Sequence, residues 1–199
     1  MPPLPEKVRI VEVGPRDGLQ NERETIPTAT KLAFINKLAE AGHSQIEVTS
    51  FVSPKAVPQL ADAVEVARAL TPKAGVIYSA LTPNMKGLER AIETGIRRVA
   101  VFTAASESFT KKNINMTIDE SFAAFTPVVE RARAEGISVR GYVSTAFVCP
   151  YEGDIDKTKT LAVTRRLLEL GCDEVAVSDT IGAASPKDVF ETVGFILKS

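Results

Sequence analysis

The run Val8-Arg9-Ile10-Val11-Glu12-Val13 leads straight into Gly14-Pro15-Arg16-Asp17-Gly18-Leu19-Gln20-Asn21-Glu22, so an apolar segment empties into a loop dense with charge. Alternating valine and isoleucine predict a strand over Val8 to Val13, and the glycines and proline predict the turn that ends it. Arg16 and Asp17 then stand side by side at the strand's carboxyl end. In a parallel sheet or barrel, ligands collect at that end. In an arbitrary loop the same pair is first a solvated surface ion pair of little consequence. The remainder of the chain separates the two readings.

Short Val- and Ile-rich runs alternate with stretches of helical period six times. The predicted strands are Val8 to Val13, Gln45 to Ser50, Val76 to Leu81, Arg98 to Thr103, Ser138 to Ser144 and Glu174 to Ser178. The first helix begins near Thr28, carries Leu32, Ile35 and Leu38 on one face, and stops at Gly42. The second lies around Ala61 to Leu70. Thr82 as N-cap with Pro83 in the first turn opens the third, which ends at Gly95. Thr117-Ile118-Asp119-Glu120 is a capping-box pattern for the fourth, with Pro127 in its middle. The fifth runs from about Asp156 to Leu170 with Gly171 as its stop, and the sixth starts at Ser185-Pro186-Lys187-Asp188. The segment Ala104 to Asn115 reads as a long loop, and long loops at this end of a strand tend to bind or cover ligand.

Strict strand-helix alternation suits a doubly wound sheet or a closed barrel. The glycine-rich first turn of a dinucleotide fold is missing after strand one, which favours the (β/α)8 TIM barrel. No linker divides residues 1–199, so they are expected to form one partial barrel domain. Six units already use the chain, where a barrel has eight and about 250 residues.

With 24 basic and 25 acidic side chains, the net charge of −1 gives no electrostatic case for nucleic acid or an anionic membrane. The start Met1-Pro2-Pro3-Leu4-Pro5 lacks a secretory or mitochondrial leader pattern, and no run of about 18 apolar residues offers a membrane span. Cys149 and Cys172 are too few and too scattered for a disulfide scaffold or a zinc site. These features predict a soluble cytoplasmic protein with free thiols.

Strand parity then places charge where apolar residues are expected. In Ile46-Glu47-Val48-Thr49, the aliphatic side chains face covering helices and Glu47 and Thr49 face the barrel interior. The same parity sends Arg140, Tyr142 and Ser144 inward, and Asp179 lies just past the last strand. Asp17, Glu47, Arg140 and Asp179, with Arg16, can thus meet at one face, either as internal salt bridges or as a site. Carboxylates beside an arginine suit a hard divalent cation, Mg²⁺ or Mn²⁺, and stabilisation of an enolate. His43 lies at the opposite end of strand two and is expected to pack or bond at the surface. Lys111 and Lys112, in the long loop, either meet phosphates or are simply solvated.

The residues resemble the 3-hydroxy-3-methylglutaryl-CoA lyase family, among the metal-dependent barrel lyases and Claisen-type synthases. The likeness rests on Val11 to Glu22, Ile46 to Pro54, Val57-Pro58-Gln59, Phe109 to Asn115, Arg140 to Ser144, Cys149-Pro150-Tyr151-Glu152-Gly153 and Asp179-Thr180-Ile181-Gly182. Leu19-Gln20 stands where the synthases carry an acidic residue, which points to cleavage over condensation. The resemblance implies that Asp17 ligates the cation, Arg16 stabilises the enolate, Glu47 helps order the hydroxyl end of the substrate, and Asp179 takes part in proton transfer. Gln20, Arg140, Tyr142, Lys111 and Lys112 are the implied acyl-CoA contacts. The implied reaction, of the leucine-degradation and ketone-body type, splits 3-hydroxy-3-methylglutaryl-CoA into acetyl-CoA and acetoacetate. The family's His-x-His pair, a further asparagine and a loop cysteine are not among these residues, and Cys149 does not take that role. The 199 residues are therefore expected to be inactive alone. The unpaired edges of strands one and six offer a route to association, a homodimer included. The alternatives are a non-catalytic fragment or a condensing synthase.

Overall fold

A computed structural model describes residues 6–199; the proline-rich start Met1 to Pro5, read above for its lack of a leader, lies outside the described residues. The chain divides into two compact units. One comprises the described residues up to Ala100 with Ala134–Ser138, and the other Val101–Arg133 with Val139–Ser199.

In the first unit the order is β1 (Val11–Glu12), α1 (Thr28–Glu40), β2 (Gln45–Ser50), α2 (Ala63–Arg68), β3 (Ile77–Leu81), α3 (Met85–Glu93) and the start of β4 (Arg98–Ala104). Neighbouring strands pair in parallel, β1 with β2, β2 with β3 and β3 with β4, with a register irregularity between Glu47 and Thr49. Every residue of β2 is buried. Strand β1 is shorter than its apolar run predicts, because Val8 and Ile10 are 76% and 61% exposed and gain nothing by extending the ladder.

In the second unit β4 continues beside β5 (Ser138–Ser144), with the Ala105 amide donating to the Ser144 carbonyl at 3.0 Å. Strand β5 pairs in parallel with the last strand, residues Glu174–Val177. Helices α4 (Glu107–Ile114) and α5 (Ile118–Ala134) come between β4 and β5; the small antiparallel ribbon β6 (Val148–Cys149) and β7 (Gly153–Asp154) and α6 (Lys157–Leu170) come between β5 and that last strand, β8, and α7 (Pro186–Ile196) follows it. Each main strand neighbours the next in sequence, with no reversal of order. That is the progression of a TIM barrel and not of a doubly wound sheet, so the fold is α/β with six strand-helix units of the TIM-barrel family.

Parity in β5 holds. Val139 and Val143 are fully buried, and a side chain at Gly141 would lie 2.9 Å from Leu167 Cδ1 of α6. This face is pressed on α6, which leaves Arg140, Tyr142 and Ser144 on the other.

Helix signals were mostly where expected. The Thr117–Glu120 box is reciprocal: the Glu120 amide donates to Thr117 Oγ1 at 3.1 Å and the Thr117 amide to Glu120 Oε2 at 2.7 Å. Ser185 and Asp188 form another such box, and Asp156 caps α6. Two expectations are corrected. The third helix is capped by Asn84, whose Oδ1 accepts from the Gly87 amide at 2.9 Å, because Thr82 is buried and committed to the Ala100 carbonyl. Residues 107–114, read as loop, are helical under a Ser106 cap.

Helix α3 shows how tightly its unit packs. A Cβ on Gly87 would sit 2.8 Å from the Phe51 carbonyl oxygen and 3.4 Å from Phe51 Cβ. Alanine would gain up to ~1 kcal/mol of helix propensity, but a backbone oxygen cannot turn aside, so overpacking of about 1–3 kcal/mol wins. Gly87→Ala is therefore expected to lower the urea midpoint; equal or higher stability would show that the helix can slide.

Candidate functional site

In the first unit, a candidate site is built by the turn after β1. Residues Gly14–Gly18 form one π-helical turn, with the Arg16 and Asp17 amides both donating to the Val13 carbonyl, at 3.0 and 2.7 Å. Such turns are frequent at functional positions. The Gly14 amide donates to Glu12 Oε1 at 2.6 Å, and a Cβ at Gly14 would stand 2.8 Å from that same oxygen, so a larger residue here would displace the end of the Glu12 side chain.

The turn drives Arg16 inward, leaving it 9% exposed, where its Nε donates to Glu47 Oε1 of β2 at 2.5 Å. Its Nη1 donates to Asp17 Oδ1 at 2.6 Å. One guanidinium thus bridges a carboxylate that is 1% exposed and another whose side chain is 52% exposed. Two carboxylates fix the plane of the cation, as charge-assisted bonds do best with a guanidinium fork. Gln20 Nε2 donates to the same Asp17 oxygen at 3.1 Å, and Asn21 Nδ2 to the Asp17 carbonyl at 2.7 Å. Arg16, Asp17, Gln20 and Glu47 are therefore brought together, and the surface-pair reading of Arg16 fails because its better partner is buried.

On the same strand, Thr49 Oγ1 and Ser50 Oγ are buried and make no hydrogen bond among the described residues. Of the two carboxylates on Arg16, Asp17 is the one open to solvent, so it fits a hard cation: Mg²⁺ takes one or two protein carboxylates and completes its shell with water and substrate oxygens. Among the described residues, no group of three or more His, Cys, Asp or Glu side chains could hold a metal ion.

In the other unit, a separate cluster lies around Asp179. Its Oδ1 accepts from the Ala183 amide at 3.1 Å and its Oδ2 from the Ala184 amide at 2.9 Å, across a turn that needs Gly182 at φ +66°. The residues on either side of Asp179 are clamped to the end of β5: the Thr145 amide donates to Thr180 Oγ1 at 2.7 Å and the Ala146 amide to the Ser178 carbonyl at 3.1 Å. Thr145 does so at φ +48° while fully buried, a strained state for a β-branched residue. Strand periodicity carries no sign of this bend.

The other expected contacts have partners of their own. Arg140 pairs with Glu174, the first residue of β8, and its guanidinium lies 5.7 Å from the Tyr142 ring centre. That pairing sits toward the strands' amino ends, the opposite end from Asp179. Lys111 and Lys112 occupy the last turn of α4 and diverge. Lys111 helps to hold the Glu120 carboxyl below its usual range, after the Thr117 amide that dominates, while Lys112 Nζ lies 4.2 Å over the Tyr151 ring.

Sequence reading missed Glu152. Its Oε1 accepts from the Ser108 amide and from Ser106 Oγ, both at 2.7 Å, and the Ser108 amide above all keeps its carboxyl below the usual range. Cys149 is buried beside it, its Sγ 3.0 Å from Ser106 Oγ. Both cysteines are free thiols, and burial, helped by Asp173, pushes Cys172 up to about 11, so neither forms a disulfide and Cys172 stays protonated at neutral pH.

Known proteins carry the same framework. A bovine mitochondrial hydroxymethylglutaryl-CoA lyase is 53% identical over 193 residues, which is 96% of this chain and 59% of the relative. The crystal structure of the hydroxymethylglutaryl-CoA lyase from Pseudomonas aeruginosa superposes with a TM-score of 0.95 at 48% identity, covering 98% of this chain and 65% of that one. An Acinetobacter baumannii HMG-CoA lyase solved with coenzyme A and 3-methylmalate gives 0.90 at 39% identity, covering 96% and 63%. The chain thus spans about three-fifths of the length of such relatives. The HMGL-like family model matches residues 7–199, so the chain belongs to the HMGL-like family, whose named relatives here are carbon-carbon lyases.

Proposed function

We propose that this chain carries the enolate-stabilising part of a lyase that cleaves 3-hydroxy-3-methylglutaryl-CoA into acetyl-CoA and acetoacetate. The observation that carries the reading is the Glu47–Arg16–Asp17 bridge, a guanidinium held rigid between a buried and an open carboxylate. In the cleavage, the tertiary hydroxyl loses its proton, the bond between that carbon and the thioester's α-carbon breaks, and the electron pair moves toward the thioester oxygen. The Arg16 guanidinium, its plane fixed by the two carboxylates, stabilises the charge on that oxygen, so little reorganisation is needed as charge develops. Glu47 orders the hydroxyl end, and Asp179, anchored by two backbone amides, takes part in the proton transfer, in which the hydroxyl proton leaves and the α-carbon of the enolate is protonated to give acetyl-CoA. A divalent cation, Mg²⁺ or Mn²⁺, would be held through Asp17 and would polarise the substrate oxygens. Gln20, Arg140, Tyr142, Lys111 and Lys112 are proposed acyl-CoA contacts, a class supported by the coenzyme A in the Acinetobacter relative. Residues 1–199 are read as one partial barrel domain of a cytoplasmic protein; among the described residues, no helix is long and apolar enough to cross a membrane.

The test is a titration with Mn²⁺ followed by electron paramagnetic resonance. The 199-residue chain is expected to bind weakly, and Asp17→Ala to weaken binding by about tenfold or more, since even outer-shell changes at metal sites cost that much. Asp119→Asn, on an exposed surface pair with Arg166, is the control and should match the wild type. Equal binding by all three proteins would remove Asp17 as the ligand.

A further inference from the structure

Segment Cys149 to Glu152 grips one face of α4 at three successive levels. At the helix start, Glu152 Oε1 accepts from Ser106 Oγ and the Ser108 amide, and Ser106 Oγ in turn accepts from the Phe109 amide at 3.1 Å. One turn on, the Phe109 and Tyr151 rings lie 6.4 Å apart between centres. At the last turn, Lys112 Nζ sits 4.2 Å over the Tyr151 ring. Positions 106, 109 and 112 share one helix face by their spacing of three.

An isolated eight-residue helix is marginal in water, and α4, though capped by Ser106, is polar, with a single buried residue, Thr110. Its place therefore depends on this grip more than on an apolar stripe. A carboxylate at the positive end of the helix is the strongest of the three holds, since it is charged, accepts two donors and meets the dipole. The ring beneath Lys112 removes freedom from a side chain that is otherwise among the most mobile.

We propose that Glu152 is a positioning residue: by anchoring the start of α4 to the segment that carries Tyr151, it sets the Lys112 ammonium in place for the phosphates of an acyl-CoA. This rests on the reading of Lys112 as an acyl-CoA contact, and Glu152 itself touches no substrate. Lys111, directed toward Glu120, is not set by the same device.

The experiment compares the affinities of the 199-residue chain for coenzyme A and for pantetheine, which lacks the phosphates, by isothermal titration calorimetry. The wild type is expected to prefer coenzyme A, and Lys112→Ala to reduce that preference. Glu152→Gln is expected to narrow the ratio by roughly three- to tenfold, with pantetheine binding little changed. A merely structural loss would weaken both ligands together and leave the ratio alone. Tyr151→Leu, at a half-exposed position, serves the same test if Glu152→Gln does not fold. A folded variant that keeps the wild-type ratio, while Lys112→Ala loses it, overturns the role of Glu152 and leaves the acyl-CoA reading standing. A wild type that binds both ligands alike, or whose preference survives Lys112→Ala, overturns the reading of Lys112 and the inference with it.

Discussion

Replacing Arg16 by methionine is expected to lower the free energy of unfolding by about 3–5 kcal/mol, the cost of taking one member of a buried ion pair away from the other. Glu47 is 1% exposed and meets the Arg16 Nε at 2.5 Å. With the guanidinium gone, its carboxylate stays inside a strand whose every residue is buried. Methionine fills much of the arginine's volume, so the loss reports charge and not a cavity. For a chain of this length, the shift in melting temperature should be roughly 6–20 °C. The urea midpoint should fall with the m-value unchanged. The double variant Arg16→Met, Glu47→Leu should regain most of the stability, because well-packed apolar residues commonly match a buried ion pair, yet it would have no site. Asp17→Ala, at a half-exposed carboxylate, should cost far less. A loss below 1 kcal/mol for Arg16→Met would mean that water reaches Glu47, and that the bridge is not preorganised.

Legibility in the sequence followed burial. Strands β2 and β5 have the predicted bounds, because each alternates cleanly and is packed on a helix face. Placing Glu47 inward by parity also required a partner for it, since a buried carboxylate must have one, and the structure supplies Arg16. Helix α4 was lost because Glu-Ser-Phe-Thr-Lys-Lys-Asn-Ile has no apolar stripe; only Ser106 followed by an acidic residue marked its start. Missing the helix concealed Glu152, whose role is defined by that helix's first amides. Thr145 was invisible for another reason. Its positive φ comes from the tertiary clamp around Asp179, and nothing in the local residues asks for it.

The largest functional contrast concerns turnover. Asp17 supplies one carboxylate to a cation, and the described residues offer no cluster of three donors, so the 199-residue chain is expected to release no acetoacetate from the hydroxymethylglutaryl thioester with Mg²⁺ or Mn²⁺. A chimera continuing this chain with the part of the Pseudomonas aeruginosa lyase that it does not cover, about a third of that protein, should release it. The two frameworks superpose with a TM-score of 0.95, so the junction asks for no rearrangement of the Glu47–Arg16–Asp17 bridge. Within the chimera, Arg16→Lys should lower turnover by about 10²–10³-fold, the effect of removing one preorganised donor from a developing oxyanion. Lysine keeps the charge but cannot span Glu47 and Asp17 with one planar fork. Coupled reduction of acetoacetate to hydroxybutyrate with NADH gives the readout. Metal-dependent release by the 199-residue chain itself would sink the first expectation, and an Arg16→Lys chimera within tenfold of its parent would show that positive charge suffices and the fork does not matter.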